Sequence, residues 1–145
     1  MKNNRGFTLV EVLIYVALSA ILVAVSAVSL KSILDYQEVI VKKGYLYENS
    51  GRFFANFALD TRNATGFQIL DSGHRVHILG TPTIDYFREG ERLKKQVGAD
   101  EAYFITDAHT VVTGITFSVA AGVVKVDVNF NSGEYTPTGY YWARN

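Results

Sequence analysis

Nineteen consecutive residues, Val12 to Leu30, contain no charge, no proline and no glycine, and this run constrains the chain more than anything else in it. Extended back to Phe7 it makes 24 residues with one charged side chain, Glu11. At about 1.5 Å of rise per residue, a helix of that length covers roughly 36 Å, more than the roughly 30 Å hydrocarbon core of a bilayer. The six residues before it, Met1 to Gly6, are polar and include Lys2 and Arg5. Positive charge on that flank places the N-terminal end in the cytoplasm and the bulk of the chain across the membrane. The expected topology is single-pass, with an extracytoplasmic C-terminal part.

Such a segment admits three readings. A cleaved secretory signal needs small residues after the apolar run, and Ala24-Val25-Ser26 or Ala27-Val28-Ser29 supplies them. An uncleaved signal anchor has the same composition. Neither accounts for Glu11, because a carboxylate in an apolar helix costs about 2.5–3.5 kcal/mol near mid-bilayer and less near its edge. The third reading gives it a role. The stretch Arg5-Gly6-Phe7-Thr8-Leu9-Val10-Glu11 resembles the processing signature of type IV prepilins and type II secretion pseudopilins. The resemblance implies that a membrane-embedded prepilin peptidase cuts between Gly6 and Phe7 and methylates the new amine of Phe7. Glu11 then stands fifth in the mature chain. Cleavage there leaves the apolar helix attached and creates a cation at its membrane-embedded end. Glu11 can pair with the corresponding amine of a neighbouring subunit, neutralising both charges where neither is solvated.

Beyond Leu30 charge returns, yet no proline occurs before Pro82. Steps of about 100° from Ile33 gather Ile33, Tyr36, Ile40, Gly44, Tyr47, Gly51, Phe54 and Ala58 on one face. Val39, Leu46, Phe53 and Phe57 widen it, while Glu38, Lys42, Asn49, Arg52, Asn56 and Asp60 fall opposite. The pattern predicts one helix from Phe7 to Arg62, about 84 Å long, ending near Asn63-Ala64-Thr65-Gly66 with Gly66 as its C-cap. Gly44 and Gly51 each cost about 1 kcal/mol of helix propensity and are expected where the helix approaches a sheet closely. The aromatic stripe reads as core rather than as a ligand box.

From Phe67 the period shortens to two. Phe67–Leu70 and Val76–Leu79 flank Asp71-Ser72-Gly73, a first hairpin; Thr83–Phe87 and Arg92–Val97 flank Arg88-Glu89-Gly90-Glu91, a second. Further strands are expected at Tyr103–Ile105, Val111–Val119 and Val123–Phe130, with Ala120-Ala121-Gly122 turning between the last two and Asn131-Ser132-Gly133 following. Val124, Val126, Val128 and Phe130 alternate with Lys125, Asp127 and Asn129, and Tyr135–Arg144 offers a final edge strand.

The expected organisation is a leader (1–6), a membrane or filament-core half of the helix (7–30), an amphipathic half (31–66) and a β-rich part (67–145), with 31–145 as one extracytoplasmic domain. The fold class is α+β: a long N-terminal helix packed on an antiparallel β-sheet, the pilin-like arrangement. Asp60-Thr61-Arg62-Asn63-Ala64, Ile84-Asp85-Tyr86-Phe87, Arg92-Leu93-Lys94-Lys95, Phe104-Ile105-Thr106 and Ile115-Thr116-Phe117, in that order, resemble J-type minor pseudopilins and W-type minor pilins. The resemblance spans most of the chain through loose motifs.

Catalytic and ligand chemistry finds little support. Fourteen basic residues balance fourteen acidic ones, which disfavours a dedicated nucleic-acid binder, and without cysteine there are no thiolate metal sites. His74, His77 and His109 lack a convergent carboxylate cluster. Asp71, Asp100, Glu101 and Asp107 lack the spacing of a calcium loop and read as solvated. Arg88, Arg92, Lys94 and Lys95, beside Tyr86 and Phe87, form a basic cluster that Glu89 and Glu91 interrupt. No enzyme, cofactor or metal is expected.

The resemblance implies a structural subunit of a type IV pilus or type II secretion pseudopilus, minor or tip-located, held in the inner membrane and then extracted into a periplasmic or surface fibre by an ATPase-driven assembly platform. Its partners are other pilin or pseudopilin subunits, the prepilin peptidase/methyltransferase and that platform. The competing expectation is a signal-anchored or secreted β-domain that binds a ligand or DNA and forms no fibre.

Overall fold

A computed structural model of the chain describes residues 8–131 and 135–143. The Gly6–Phe7 junction, the leader before it, Ser132 and Gly133 of the expected turn, and Arg144 lie outside these residues. The chain divides into two compact units, residues 1–42 and 43–145. One helix, α1 (Leu9–Thr61), contributes to both.

In the first unit every described residue is exposed. Leu22 and Val28 keep 68% and 72% of their surface, so no protein surface within the described chain covers them. The helix satisfies its backbone polar groups internally, and its apolar side chains point outward all round, as in a segment whose solvent is lipid or other helices. Mean hydropathy reaches 2.5 over 18 residues, so the helix is long and apolar enough to cross a membrane.

The second unit packs the C-terminal part of α1 on two antiparallel sheets rather than the single sheet expected. The first is a five-stranded meander of β1 (Gly66–Leu70), β2 (Arg75–Leu79), β3 (Ile84–Glu89), β4 (Arg92–Val97) and β5 (Tyr103–Phe104). The second joins β6 (Val112–Ala120), β7 (Val123–Phe130) and β8 (Thr138–Trp142). The β6–β7 turn is the two-residue Ala121–Gly122, both at positive φ, the conformation that suits the twist of a tight hairpin. Along β7 the expected alternation holds: Val124, Val126, Val128 and Phe130 are buried, and the residues between them are half-buried.

Phe57 joins these layers. Its ring lies 5.0 Å from Tyr86 of β3, 6.1 Å from Phe117 of β6 and 4.9 Å from Tyr141 of β8. One helix side chain therefore contacts both sheets, and fully burying a ring of this size is worth about 2–3 kcal/mol.

The buried stripe of α1 is Leu46, Asn49, Ser50, Phe53, Phe57 and Thr61. Leu46, Phe53 and Phe57, expected at one edge of the apolar face, are its buried centre, and Phe54 and Ala58 of the expected face are half-buried, so the buried face is turned toward that edge. Tyr47, Gly44 and Gly51 are exposed, and a Cβ on either glycine would meet nothing within 4 Å, so neither is a point of close approach. Asn49 and Asp60, expected on the solvated side, are packed instead. Asn49 is buried because loop groups satisfy its amide, and Asp60 is half-buried, with Lys95 Nζ meeting its carboxylate at 2.6 Å while the Tyr86 hydroxyl donates to it. Burial, then the bond to Asp60, pushes the Tyr86 phenol above its ordinary value.

Nor does Gly66 cap the helix. The last turn closes with short bonds, Arg62 N–H to the Leu59 carbonyl and Ala64 N–H to that of Thr61, and Gly66 opens β1. The glycine that a close approach does require is Gly139 in β8, where a Cβ would lie 2.6 Å from Tyr141 and 2.8 Å from Phe54. Two substitutions separate these roles. In urea titrations of the full chain in detergent, followed by near-UV circular dichroism, Gly139→Ala lowers the unfolding free energy by about 1–3 kcal/mol through overpacking. Gly51→Ala raises it by up to about 1 kcal/mol through helix propensity. Equal effects at the two positions would refute this assignment.

Candidate functional site

Glu11 lies in the first turn of α1, and its surroundings explain how a carboxylate is held there. Thr8 is the last residue before the helix, and its carbonyl accepts the first ladder bond, from Val12 N–H at 3.2 Å. Glu11 Oε2 accepts from the Thr8 backbone N–H at 2.9 Å and from the Thr8 hydroxyl at 3.1 Å. In return, Thr8 Oγ1 accepts the Glu11 backbone N–H at 3.3 Å. This reciprocal arrangement is a capping box, which satisfies two amides that a helix start otherwise leaves open. The carboxylate also sits at the positive end of the helix dipole. Thr8 and Glu11 are both exposed. Of the residues singled out in sequence, Glu11 lies in this first turn, and Gly6 and Phe7 fall outside the described residues. Thr8 was visible only as part of the Gly-Phe-Thr signature; its Thr-x-x-Glu spacing ahead of an apolar run was the signal for its capping role.

The other candidates are drawn into structural contacts. His74 Nδ1 lies 3.0 Å from the Ile115 carbonyl, His77 Nδ1 lies 2.9 Å from its cross-strand neighbour Asp85, and the His109 ring stacks on Tyr45 at 5.4 Å. Among the described residues no group of three His, Asp or Glu side chains converges to hold a metal. Asp71 pairs with Arg75 at 3.5 Å, and Asp100 and Glu101 are exposed.

The four basic residues are committed internally. The Arg88 guanidinium donates to the carbonyls of Gly90 and Val112. Arg92 donates twice to the Thr106 carbonyl and stacks 3.9 Å over Phe104. Lys94 pairs with Glu89, and Lys95 with Asp60. The cluster stitches β3, β4 and the following loop rather than presenting a bare cationic surface.

Asp107 is not a free loop charge. Asn49 Nδ2 donates to Asp107 Oδ2 and to Thr110 Oγ1, each at 2.8 Å, and Asn49 Oδ1 accepts the Asp107 N–H at 3.0 Å. The loop is thereby pinned to the buried face of α1. Burial pushes the Asp107 carboxyl up, but hydrogen bonds from Asn49, the His109 N–H and Thr110 outweigh it and hold it below the ordinary value. A depressed carboxyl stabilises the fold above its unfolded-state pKa, about 3.9, and that contribution disappears as pH falls through the lower folded value. The stability advantage of wild type over Asp107→Asn is therefore full at about pH 6 and shrinks below about pH 4. Urea midpoints for both chains across that range test it, and an advantage independent of pH would count against the carboxylate.

Neither the curated proteins nor the solved structures yield a match to this chain. One family model does match: the prokaryotic N-terminal methylation motif, over residues 1–27. Those residues contain the scissile junction expected from the sequence, the Thr8–Glu11 capping box and most of the apolar run. With an apolar helix leading into an α+β domain of antiparallel sheets, the chain carries the N-terminal signature of type IV prepilins and pseudopilins.

Proposed function

We propose that the chain is a structural, non-enzymatic subunit of a type IV pilus or type II secretion pseudopilus. The observation that carries this reading is the methylation motif at residues 1–27 on a helix whose residues 9–30 are exposed and carry Glu11 as their one charged side chain. A helix of that kind is soluble in lipid as a monomer. It buries the same surface against neighbouring helices in a fibre, so one sequence serves both states.

In this reading the peptidase/methyltransferase cuts between Gly6 and Phe7 and methylates Phe7, and Glu11 governs docking by pairing with the terminal amine of an adjacent subunit. The N-terminus starts in the cytoplasm and the second unit lies outside the inner membrane, where the assembly platform feeds the subunit into a fibre. Exposed apolar residues continue past the membrane segment, at Ile33, Tyr36 and Ile40, which favours helix contacts extending beyond the bilayer. The loose resemblance of the β-rich part to J-type minor pseudopilins and W-type minor pilins favours a minor, priming or tip position. So does the absence of cysteine, which excludes the disulfide loop common in major pilins. Nucleic acid is not among the expected partners, since the basic cluster is already engaged.

Two measurements test the proposal. The N-terminal peptide of the chain, isolated from cells with a prepilin peptidase, has the mass of N-methylated Phe7; a start at Met1, Ala27 or Leu30 would exclude it. Glu11→Ala leaves membrane levels and the circular dichroism of the second unit unchanged. It lowers the fibre-associated fraction on the order of a hundredfold, as expected when one partner of a buried charge pair is removed. Unchanged fibre content would show that Glu11 does not govern docking.

A further inference from the structure

We infer that the outer edge of β8 is a docking surface for a second copy of this chain, joined to it by antiparallel β8–β8 pairing about a two-fold axis at Tyr140. The inference uses neither the leader nor the start of α1, so it goes beyond the proposed function and stands or falls apart from it.

The hydrogen bonds on either side of β8 show which of its backbone groups are taken. Val128 N–H donates to the Pro137 carbonyl at 3.2 Å, and Ala143 N–H to that of Gly122 at 3.5 Å, so the odd-numbered residues bond to β7. Bonded and non-bonded residues alternate along an antiparallel ladder, which turns the N–H and C=O of Thr138, Tyr140 and Trp142 away from β7. β8 is the last strand of its sheet. The side chains of the same three residues are exposed, Tyr140 by 57% and Trp142 by 67%.

Strand edges are normally kept from pairing by a bulge, extreme shortness, a cover, a charge or a proline. The other edges of this unit have such protection. β5 is two residues long, the β6 ladder shifts register between Val112 and Gly114, and β1 runs beside β6. β8 has neither a charge nor a proline between Thr138 and Trp142. The charges beside it on β7, Lys125 and Asp127, neutralise each other at 2.7 Å.

The strand is its own complement. With the axis at Tyr140, Tyr140 faces Tyr140 of the second copy and Thr138 faces Trp142, so every outward N–H meets an outward C=O. The exposed rings then lie together on one face, and no like charges are opposed. Any other strand has to match this register and this lack of charge; a second copy does so by symmetry. Five residues a side bury less than a free-standing dimer needs, so the pairing is brief in solution and its test must trap it.

The chain has no cysteine, so introduced thiols report without background. Full-length chains carrying Tyr140→Cys, Thr138→Cys or Trp142→Cys are oxidised in detergent micelles. Disulfide-linked dimers are followed by mass spectrometry, and near-UV circular dichroism checks that each variant is folded. Opposed residues of a bonded pair have Cα atoms about 5.5 Å apart, within disulfide reach, whereas Thr138 or Trp142 lies about 13 Å from its own counterpart. The inference expects Tyr140→Cys to dimerise at least about tenfold faster than either other variant alone. An equal mixture of Thr138→Cys and Trp142→Cys forms the mixed dimer about as fast as Tyr140→Cys dimerises. Adding Tyr140→Lys to both partners of that mixture sets two lysines face to face and slows it severalfold. Equal rates for the three single variants would overturn the inference, because association of the helices alone would then be bringing the strands into random collision. A mixed dimer no faster than the Thr138→Cys homodimer would overturn it too. So would a disulfide formed in cells between the Tyr140→Cys variant and a different polypeptide in place of the second copy.

Discussion

The second unit depends on one ring. Phe57 projects from α1 to meet an aromatic residue on each of β3, β6 and β8. Neither sheet alone buries the helix: the five-stranded meander contributes Tyr86, and the three-stranded one contributes Phe117 and Tyr141. With Phe57 in place, the neighbouring positions of the stripe follow from helical spacing, Phe53 one turn back and Thr61 one turn on. Polar residues at its margins then find partners the sheets provide, Asp60 from β3 and β4, Asn49 from the loop after β5.

That dependence explains which parts of the fold could be read from the sequence. The strands were legible because each carries its own evidence: β7 alternates cleanly, and turn residues bracket β1 to β4. Their division into two sheets was not, since nothing within a strand records which neighbours lie across the core. The phase of the helix was legible only in part. Steps of about 100° from Ile33 put Leu46, Phe53 and Phe57 at the edge of the apolar face, where they are buried, but centred that face on Gly44, Tyr47 and Gly51 and set Asn49 and Asp60 opposite. Burial was decided instead by what the sheets cover and by whether a partner waits there, and both are tertiary facts.

At the N-terminus the balance reverses. Glu11 stood out because it is the only charge in an otherwise apolar run, a local anomaly needing no knowledge of tertiary structure. Thr8 did not stand out, although its spacing from Glu11 was equally visible. A threonine before a helix is common, and its significance emerges only when its hydroxyl is seen both donating and accepting within the same turn. The same helix is thus organised by two different rules: hydrogen bonds at its start, where surrounding side chains are apolar and offer no contrast, and aromatic packing toward its end, where the sheets supply one.

The chain has a single tryptophan, and it lies in β8 opposite Val123, with 67% of its surface exposed. Most soluble domains bury their indole, so its emission falls silent or shifts when they unfold. Here the core is lit by tyrosine and phenylalanine, and the indole is already in water. Its fluorescence is therefore nearly blind to unfolding and sensitive to whatever settles on β8, which makes Trp142 a built-in reporter of contacts made by this sheet from outside.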